Sequence, residues 1–358
     1  MSAEPRSRLA LYLALGYTLL ILYASLSPFS GWRDPGQSAL HFLSEPWPRY
    51  VVAFDIVVNV LAYVPFGLLV AASMLPGRTA LAAGVTGFVA GFALSFAMEY
   101  AQGFLPGRIA NRLDLVANMV GTGIGAWIGA HAGTVPRIVR PLAGFRQHWF
   151  LPGGAIDLGI ALIALWLFSQ LDPSLPLFGI VFFSDGVQAQ LAGIVSGHAR
   201  RLLGPISVAM NLVSLGLLLT LVMRSKRAAL VAVALLVWIA ALTKLVAASV
   251  LLRSEAAFLW VSKEVAWAIV AGMLFVGAAA ALPRPLIRML CALSLMCAIG
   301  LSVLKPGEAQ SFLSLRLFRW NDLQLMHYTG LAATVAEVWP YAALLYLLLL
   351  WRRDRTYV

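Results

Sequence analysis

Residues 80–103 read ALAAGVTGFVAGFALSFAMEYAQG, an apolar stretch in which Glu99 is the only charged side chain. A helix needs about 20 mostly apolar residues to cross a hydrocarbon core of about 30 Å, so this stretch is predicted to span a membrane as an α-helix. Small residues recur at every fourth position before Glu99: Ala83, Gly87, Gly91 and Ser95. Because small residues at this spacing allow two helices to approach closely, we expect Glu99 to face a neighbouring helix rather than lipid.

Stretches of this kind recur along the whole chain, which has 358 residues, is 61% hydrophobic and 11% charged, and has a mean hydropathy of +0.86. Soluble domains are about half apolar and about a quarter charged, so the composition predicts an all-α, polytopic membrane protein built as a bundle of transmembrane helices. About ten segments meet the length criterion for a span. They are approximately 9–27, 55–75, 80–103, 114–131, 154–171, 206–223, 228–252, 261–282, 286–304 and 331–351.

The net charge of +11 arises from Lys and Arg residues that are scattered between the apolar stretches and form no basic arm. This distribution argues against nucleic acid as a partner and indicates membrane topology instead. The connections on the side of the two termini carry the larger excess of Lys and Arg over acidic residues, which predicts that both termini are cytoplasmic. The long connections 28–54, 172–205 and 305–330 then lie outside, and the apolar segment 175–183 is expected to lie in the interface or to re-enter the membrane.

Polar side chains lie in three pairs near the predicted outer ends of the second, third and fourth segments. The pairs are Asp55 and Asn59, Glu99 and Gln102, and Asp114 and Asn118. Spacings of three and four residues put both members of a pair on one face of a helix. Because ionisable groups within spans are costly, the six residues are predicted to form one functional cluster, in which Glu99 is the candidate catalytic acid or base.

Two arginines, Arg108 and Arg112, lie in the connection between the third and fourth segments. Their planar guanidinium groups suit phosphate or carboxylate, and we expect them to cover the polar cluster. Structural roles are the alternative: Asp55 and Asp114 would also serve as helix caps, and either arginine would also form a purely structural ion pair with Glu99. The two cysteines match no metal-site spacing, and neither a metal nor a cofactor is predicted.

The ordered set of these residues resembles the signature of the VanZ-like membrane proteins. Its elements are Asp55-x3-Asn59-x5-Pro65-Phe66-Gly67, Glu99-x2-Gln102 and Arg108/Arg112-x-Asp114-x3-Asn118-x2-Gly121-x3-Gly125, preceded by Leu26-Ser27-Pro28-Phe29. The resemblance covers about residues 9–131 and implies a four-helix VanZ-like membrane domain over residues 1–131. The family is associated with low-level resistance to the glycopeptide teicoplanin. The resemblance therefore implies a role in the bacterial cell envelope and a place in the inner membrane.

Residues 132–358 are predicted to form an additional membrane domain of six helices. A shift of 145 positions places Leu22-Tyr23 over Leu167-Phe168, so a degenerate repeat of the first domain is one of two open interpretations. This domain contributes secondary binding candidates on the same predicted side of the membrane: Lys244, Arg253, Lys263 and Glu337. Snorkelling of the lysines towards the membrane surface is the structural alternative.

Four functions are compatible with the sequence. The leading hypothesis is that the cluster binds the headgroup of a membrane lipid or of a lipid-linked saccharide precursor, with Arg108 and Arg112 holding phosphate. The alternatives are an enzyme that acts on a lipid headgroup through Glu99, a lipid transporter or flippase, and a scaffold for envelope-synthesis proteins. The sequence shows no nucleophile–base pair or metalloprotease motif for the enzyme, and few charges near the predicted midplane for a transporter.

Overall fold

The computed structural model of the chain describes residues 7–27, 29–47, 53–75, 77–131, 144–179, 197–258, 260–304 and 323–355. Within these ranges the chain forms α-helices, two short 3₁₀ turns and no β-strand, so the predicted all-α class is confirmed. The helices are α1 (Leu9–Leu26), α2 (Ala53–Met74), α3 (Ala80–Gln102), α4 (Arg112–His131), α5 (Gly154–Ser169), α6 (Gly197–Val222), α7 (Lys226–Leu251), α8 (Lys263–Ala279), α9 (Arg284–Leu304) and α10 (Leu323–Arg355).

Each predicted apolar segment coincides with one of these helices, but fewer of them are long enough to span. Among the described residues, 8 helices are long and apolar enough to cross a membrane: α1 to α4, α6, α7, α9 and α10. The other two are shorter, with 16 residues in α5 and 17 in α8. Ten spans and cytoplasmic termini therefore stay predictions, whereas a bundle of several apolar helices is observed.

Polar caps fix the starts of three helices. The hydroxyl of Thr79 accepts a hydrogen bond from the backbone N–H of Ala82 at 3.2 Å, which satisfies one of the free N–H groups at the start of α3. Ser225 caps α7 and Ser262 caps α8 in the same way. The cap at Ser262 explains why α8 is shorter than the predicted segment 261–282.

The chain divides into two compact units. The first comprises Met1–Gln147 with Pro152–Asp157, and the second comprises His148–Leu151 with Leu158–Val358. The first unit contains α1 to α4 and the first turn of α5, and the second contains the remaining helices. The predicted domain boundary at residue 131 and the degenerate repeat stay predictions.

In the first unit, α4 packs against both α2 and α3 through its small residues. A Cβ atom added to Gly121, Gly125 or Gly129 would overlap main-chain atoms of α2. The small residues predicted to line an interface on α3 are buried against α4 and α2, and Gly91 there meets the side chain of Thr122. The small-residue series of α3 therefore lies at a helix–helix interface, as the sequence predicts, and the glycines at every fourth position of α4 allow the same close approach.

In the second unit, α6 is the most buried of the membrane-length helices, and its neighbours pack against it. Within its apolar part, Leu202–Val222, 83% of the residues in an 18-residue stretch are buried. The segment that follows α5 also folds into this unit, since Leu177 and Phe178 are only 3% and 0% exposed. The Phe178 ring packs on Trp166 of α5 with ring centroids 4.6 Å apart, and its carbonyl oxygen accepts a hydrogen bond from Asn211 of α6 at 2.9 Å.

Candidate functional site

The carboxyl group of Glu99 lies buried between the C-terminal end of α3 and the start of α4. Glu99 is 3% exposed, and its Oε2 atom accepts a hydrogen bond from the backbone N–H of Asn111 at 2.8 Å. Asn111 is held in turn because its side-chain oxygen caps α4 by accepting from the N–H of Leu113 at 2.9 Å. The geometry therefore aims one oxygen of Glu99 at the α3–α4 connection, as the small-residue series predicts.

Asn59 and Asp114 join α2 to α4 beside Glu99. The side-chain amide of Asn59 donates to Oδ1 of Asp114 at 2.8 Å. Asp114 also interacts electrostatically with Asp55 and with Glu99, so the three carboxyl groups lie in one region at the same end of the helices. Asp55 and Asp114 are half-buried, whereas Glu99 is buried, so the group opens towards the end of the unit.

Asn118 lies one turn further into α4 and contacts α3. Its amide donates to the hydroxyl of Ser95 at 2.9 Å, and its Oδ1 atom is buried without a hydrogen-bond partner. Tyr63 of α2 is buried next to Ser95 and Glu99. Ser95 and Tyr63 are polar members of the site that the sequence analysis did not include. Ser95 occupies the last position of the small-residue series on α3, and this position is the one sequence feature that could have indicated its place in the site.

Gln102 and Arg108 are directed towards the end of α1 instead of towards the carboxyl groups. Gln102 donates to the carbonyl oxygen of Ser25 at 3.1 Å, and Arg108 donates to those of Ala24 and Ser27 at 2.8 and 3.2 Å. The last carbonyl groups of a helix have no partner within the helix, so these donors complete the C-terminal end of α1. The predicted position of Arg108 over the cluster is thus replaced by a contact with α1.

Arg112 lies at the start of α4 and contacts the loop between α1 and α2. Its guanidinium carbon is 4.3 Å from the centre of the Trp47 ring, a cation–π arrangement. One terminal nitrogen reaches the carbonyl oxygen of Leu43 at 3.4 Å, while the Nε atom is buried without a partner. Arg108 and Arg112 both donate hydrogen bonds to main-chain oxygens, whereas the hydrogen bond described for Glu99 comes from the N–H of Asn111.

No ion pair of Asp55, Glu99 or Asp114 is found within the described part of the first unit. The ion-pair contacts described there join other residues, His41 with Glu45 at 3.8 Å and Arg146 with Asp157 at 2.7 Å. No group of three or more His, Cys, Asp or Glu side chains suited to a metal ion occurs among the described residues. We call Asp55, Glu99 and Asp114 the acidic cluster. No Lys, Arg or His side chain forms an ion pair with this cluster among the described residues.

This set of residues lies within a region that matches a known family. Residues 8–132 match the VanZ/LLP1 family model. The resemblance read from the sequence is thereby confirmed for α1 to α4, which we call the VanZ-like region. Together with the apolar helices, the match identifies a multi-pass membrane protein. Neither the curated proteins nor the solved structures contain a match to the chain.

The secondary candidates belong to the second unit, and Lys244 is the most unusual of them. Lys244 is 0% exposed and donates to the carbonyl oxygens of Asp172 and Leu175 at 2.6 and 2.9 Å, so it does not snorkel to the surface. Arg253 and Lys263 are exposed, and Glu337 is half-buried in α10.

The carboxyl group of Asp172 is itself enclosed in the second unit. Asp172 is 2% exposed, and burial raises its pKa. Hydrogen bonds from the hydroxyl and N–H of Ser174 and the nearby ammonium of Lys244 oppose that rise. The buried ammonium group of Lys244 therefore ties the non-helical segment after α5 to α7, and the carboxyl group of Asp172 is held within that segment by Ser174.

A groove at the C-terminal end of α3 was also absent from the sequence analysis. It is an open concavity of about 450 Å³ lined by Trp32, Arg33, Asp34, Tyr100, Ala101 and Phe104. The signal that would have indicated one wall is an aromatic residue at every fourth position along α3 and just beyond it: Phe88, Phe92, Phe96, Tyr100 and Phe104. Residues at this spacing share one face of a helix.

Proposed function

We propose that the VanZ-like region binds the polar headgroup of a membrane lipid or lipid-linked precursor at the extracytoplasmic surface of the bacterial inner membrane. The observation that carries the proposal is the acidic cluster. A carboxylate buried without a partner is costly, and it is stabilised by a cation or discharged by a proton. The ammonium group of a lipid headgroup is a cation present at the membrane surface. Asp55 and Asp114 are only half-buried, so their carboxyl groups can contact such a cation.

Arg112 supplies the complementary charge for such a headgroup. Its Nε–H is buried without a partner, and the Trp47 ring holds the guanidinium group in place at the start of α4. A phosphate oxygen would accept from that donor in a charge-assisted hydrogen bond. We therefore assign Arg112 to the phosphate, whereas Gln102 and Arg108 position the end of α1.

The test compares two lipids that share phosphate and acyl chains but differ in the amine. Purified protein in lipid nanodiscs is titrated with phosphatidylethanolamine and with phosphatidylglycerol, and bound lipid is measured by native mass spectrometry. The wild type is expected to prefer phosphatidylethanolamine by about tenfold or more, because hydrogen bonds to charged groups contribute about 1.5–3 kcal/mol. Asp114→Asn and Glu99→Gln are expected to lose that preference, and Arg112→Gln is expected to weaken the binding of both lipids.

The matched control is Glu45→Gln, which removes one negative charge from an exposed position in the loop between α1 and α2. It is expected to leave the lipid preference unchanged. Equal binding of the two lipids by the wild type would contradict the proposal. A preference that survives in both acidic-cluster variants would contradict the assignment of the amine to this cluster.

A second candidate is an enzyme in which Glu99 transfers a proton to or from a lipid headgroup. The observation that favours it is the fixed direction of the carboxyl group, which the N–H of Asn111 holds at 2.8 Å. Incubation of the protein with envelope lipids, followed by mass analysis of the products, tests this role. Conversion of a lipid by the wild type that is lost in Glu99→Gln supports it, whereas binding without any conversion supports the first proposal. Glycopeptide susceptibility of expressing cells tests whether either activity has a role in resistance.

A further inference from the structure

The groove at the C-terminal end of α3 has two exposed aromatic side chains, one from the loop between α1 and α2 and one from the helix. Trp32, from the loop between α1 and α2, is 48% exposed, and Tyr100, in the last turn of α3, is 42% exposed. Phe104 continues the wall of Tyr100 and packs edge-on against it, with ring centroids 5.3 Å apart. The groove thus offers flat aromatic surfaces that the rest of the unit does not cover.

Hydrogen bonds hold the two walls of the groove in place. The backbone N–H of Arg33 donates to the carbonyl oxygen of Phe104 at 3.0 Å, which ties the loop to the residues that follow α3. The indole N–H of Trp32 donates to the carbonyl oxygen of Phe29 at 2.9 Å, which orients its ring. The concavity that these walls enclose has a volume of about 450 Å³ and is wide open to the surroundings.

Charged groups of both signs flank the aromatic surfaces. Arg33 and Asp34 belong to the otherwise mostly apolar lining of the groove, and both residues are exposed. One oxygen of Asp34 accepts from the N–H of Gly36 at 3.0 Å, which fixes the turn that presents both residues. A guanidinium group provides donors only and a carboxylate acceptors only, so together they match hydroxyl groups, which both donate and accept.

A sugar ring has this combination of surfaces. Its axial C–H groups form an apolar face that stacks on an aromatic ring, and its hydroxyl groups project from the edge towards donors and acceptors. A lipid acyl chain would use the aromatic walls but would leave Arg33 and Asp34 without a role. A free anion would use Arg33 but would be repelled by Asp34. The chemistry of the lining therefore favours a neutral, hydroxylated ring.

We infer that the groove formed by Trp32, Arg33, Asp34, Tyr100 and Phe104 binds the sugar ring of a glycosylated membrane lipid. The inference rests on the proposed function for its membrane context, because Tyr100 follows Glu99 in the last turn of α3, so that the groove and Glu99 lie at the same end of that helix. It specifies the ligand class further, as a lipid whose headgroup carries a saccharide.

The test uses two lipids that differ in the sugar alone, a monoglucosyl diacylglycerol and a diacylglycerol with the same acyl chains. The full-length protein in nanodiscs is titrated with each, and bound lipid is measured by native mass spectrometry. The wild type is expected to bind the glucosylated lipid about tenfold more tightly. Trp32→Ala and Tyr100→Ala are expected to reduce that preference to less than about threefold, and Trp32→Phe, which keeps an aromatic face, is expected to retain most of it.

Trp127→Ala is the matched control, because Trp127 in α4 is 65% exposed and does not line the groove. It is expected to leave the sugar preference unchanged. A wild type that binds both lipids equally would overturn the inference, and so would an unchanged preference in Trp32→Ala. An equal loss in Trp127→Ala would also overturn it, because exposed tryptophans would then act as general membrane anchors. Thermal unfolding of each variant separates lost binding from lost folding, and Trp32→Phe provides the folded comparison.

The headgroup proposal for the acidic cluster and the sugar proposal for the groove can be refuted independently of each other. The glucosylated lipid carries neither an amine nor a phosphate, so Glu99→Gln is expected to leave the sugar preference intact. Trp32→Ala is expected to leave the preference for phosphatidylethanolamine over phosphatidylglycerol intact. Loss of the sugar preference in Glu99→Gln would show that the two sites are not independent and would overturn the assignment of the sugar to the groove.

Discussion

Asp157, in the first turn of α5, allows a quantitative prediction for the first unit. Its side chain is 0% exposed, and its two oxygens accept hydrogen bonds from four donors. The hydroxyl of Ser7 and the N–H of Arg8 bind Oδ2 at 3.1 and 2.7 Å. The Nε and Nη2 atoms of Arg146 bind Oδ1 at 2.8 and 2.7 Å. The carboxylate therefore joins the start of α1, the segment before α5 and α5 itself.

Removing the charge of either Arg146 or Asp157 is expected to lower the free energy of unfolding, but by different amounts. Arg146→Met leaves a fully buried carboxylate without its counter-charge, and such a loss costs about 3–5 kcal/mol of the free energy of unfolding. Asp157→Asn keeps an acceptor for Arg8 and leaves a guanidinium group whose side chain is 13% exposed, so its cost is expected to be smaller, about 2–3 kcal/mol. The double variant is expected to cost less than the sum, since each single variant already breaks the same pair.

Thermal unfolding in detergent, followed by circular dichroism at the helix band, measures these differences. A loss of about 1 kcal/mol lowers the Tm of a protein somewhat smaller than this chain by about 2–4 °C, so Arg146→Met is expected to lower it by several degrees. Glu45→Gln, which affects an exposed contact with His41, is the control and is expected to change the Tm little. An unchanged Tm in Arg146→Met, or strictly additive single and double variants, would refute the interpretation of Asp157 as a buried ionic junction.

Three further predictions concern the packing of both units. Gly125→Val is expected to prevent stable folding, because its Cβ would overlap the main chain of α2, whereas Gly123→Ala, which faces only an aromatic ring at 3.6 Å, is expected to keep the Tm within a few degrees. Lys244→Met leaves two buried carbonyl oxygens without donors and is expected to cost about 2–5 kcal/mol by chemical unfolding, against less than about 0.5 kcal/mol for the exposed Lys263→Met. Burial raises the pKa of Asp172, so the folded chain keeps the proton of this carboxyl group to a higher pH than the unfolded chain does. The contribution of Asp172 to the free energy of unfolding is therefore present below about pH 4 and is lost as the pH rises through the folded-state pKa. Asp172→Asn is expected to remove that pH dependence from the unfolding profile, and an identical profile in wild type and variant would contradict it.

The sequence predicts the helices and their close contacts because both depend on local patterns. An apolar stretch that begins at a cap such as Thr79 predicts a helix. Glycines at every fourth position, as at Gly121 and Gly125, predict that one face of the helix packs closely against another helix. The helix lengths are less well predicted, since hydropathy alone does not mark a start such as that of α8 at Lys263.

The partners of polar side chains are less predictable from the same patterns. Arg108 has many acceptors within its reach, and its choice of the carbonyl groups of Ala24 and Ser27 depends on where the end of α1 lies in the folded unit. The groove around Trp32 was missed for the same reason, because its opposite wall comes from a loop with no periodicity. Lys244 shows the converse case, in which a residue expected to reach the surface finds buried main-chain oxygens from a non-helical segment.

The contrast between two acidic sites in the first unit argues for a ligand at one of them. Asp157 is buried and is matched by two contacts from the guanidinium group of Arg146 and by two further hydrogen bonds, from Ser7 and from the N–H of Arg8. Glu99 is nearly as buried, but its described hydrogen bond comes from one neutral N–H group, and two more carboxyl groups lie beside it. Arg108 on the connection that follows and Arg112 at the start of α4 donate to main-chain oxygens. The proposal of an external cation rests on this contrast, because the fold pairs buried Asp157 with an arginine but groups Glu99 with Asp55 and Asp114 without an ion pair among the described residues.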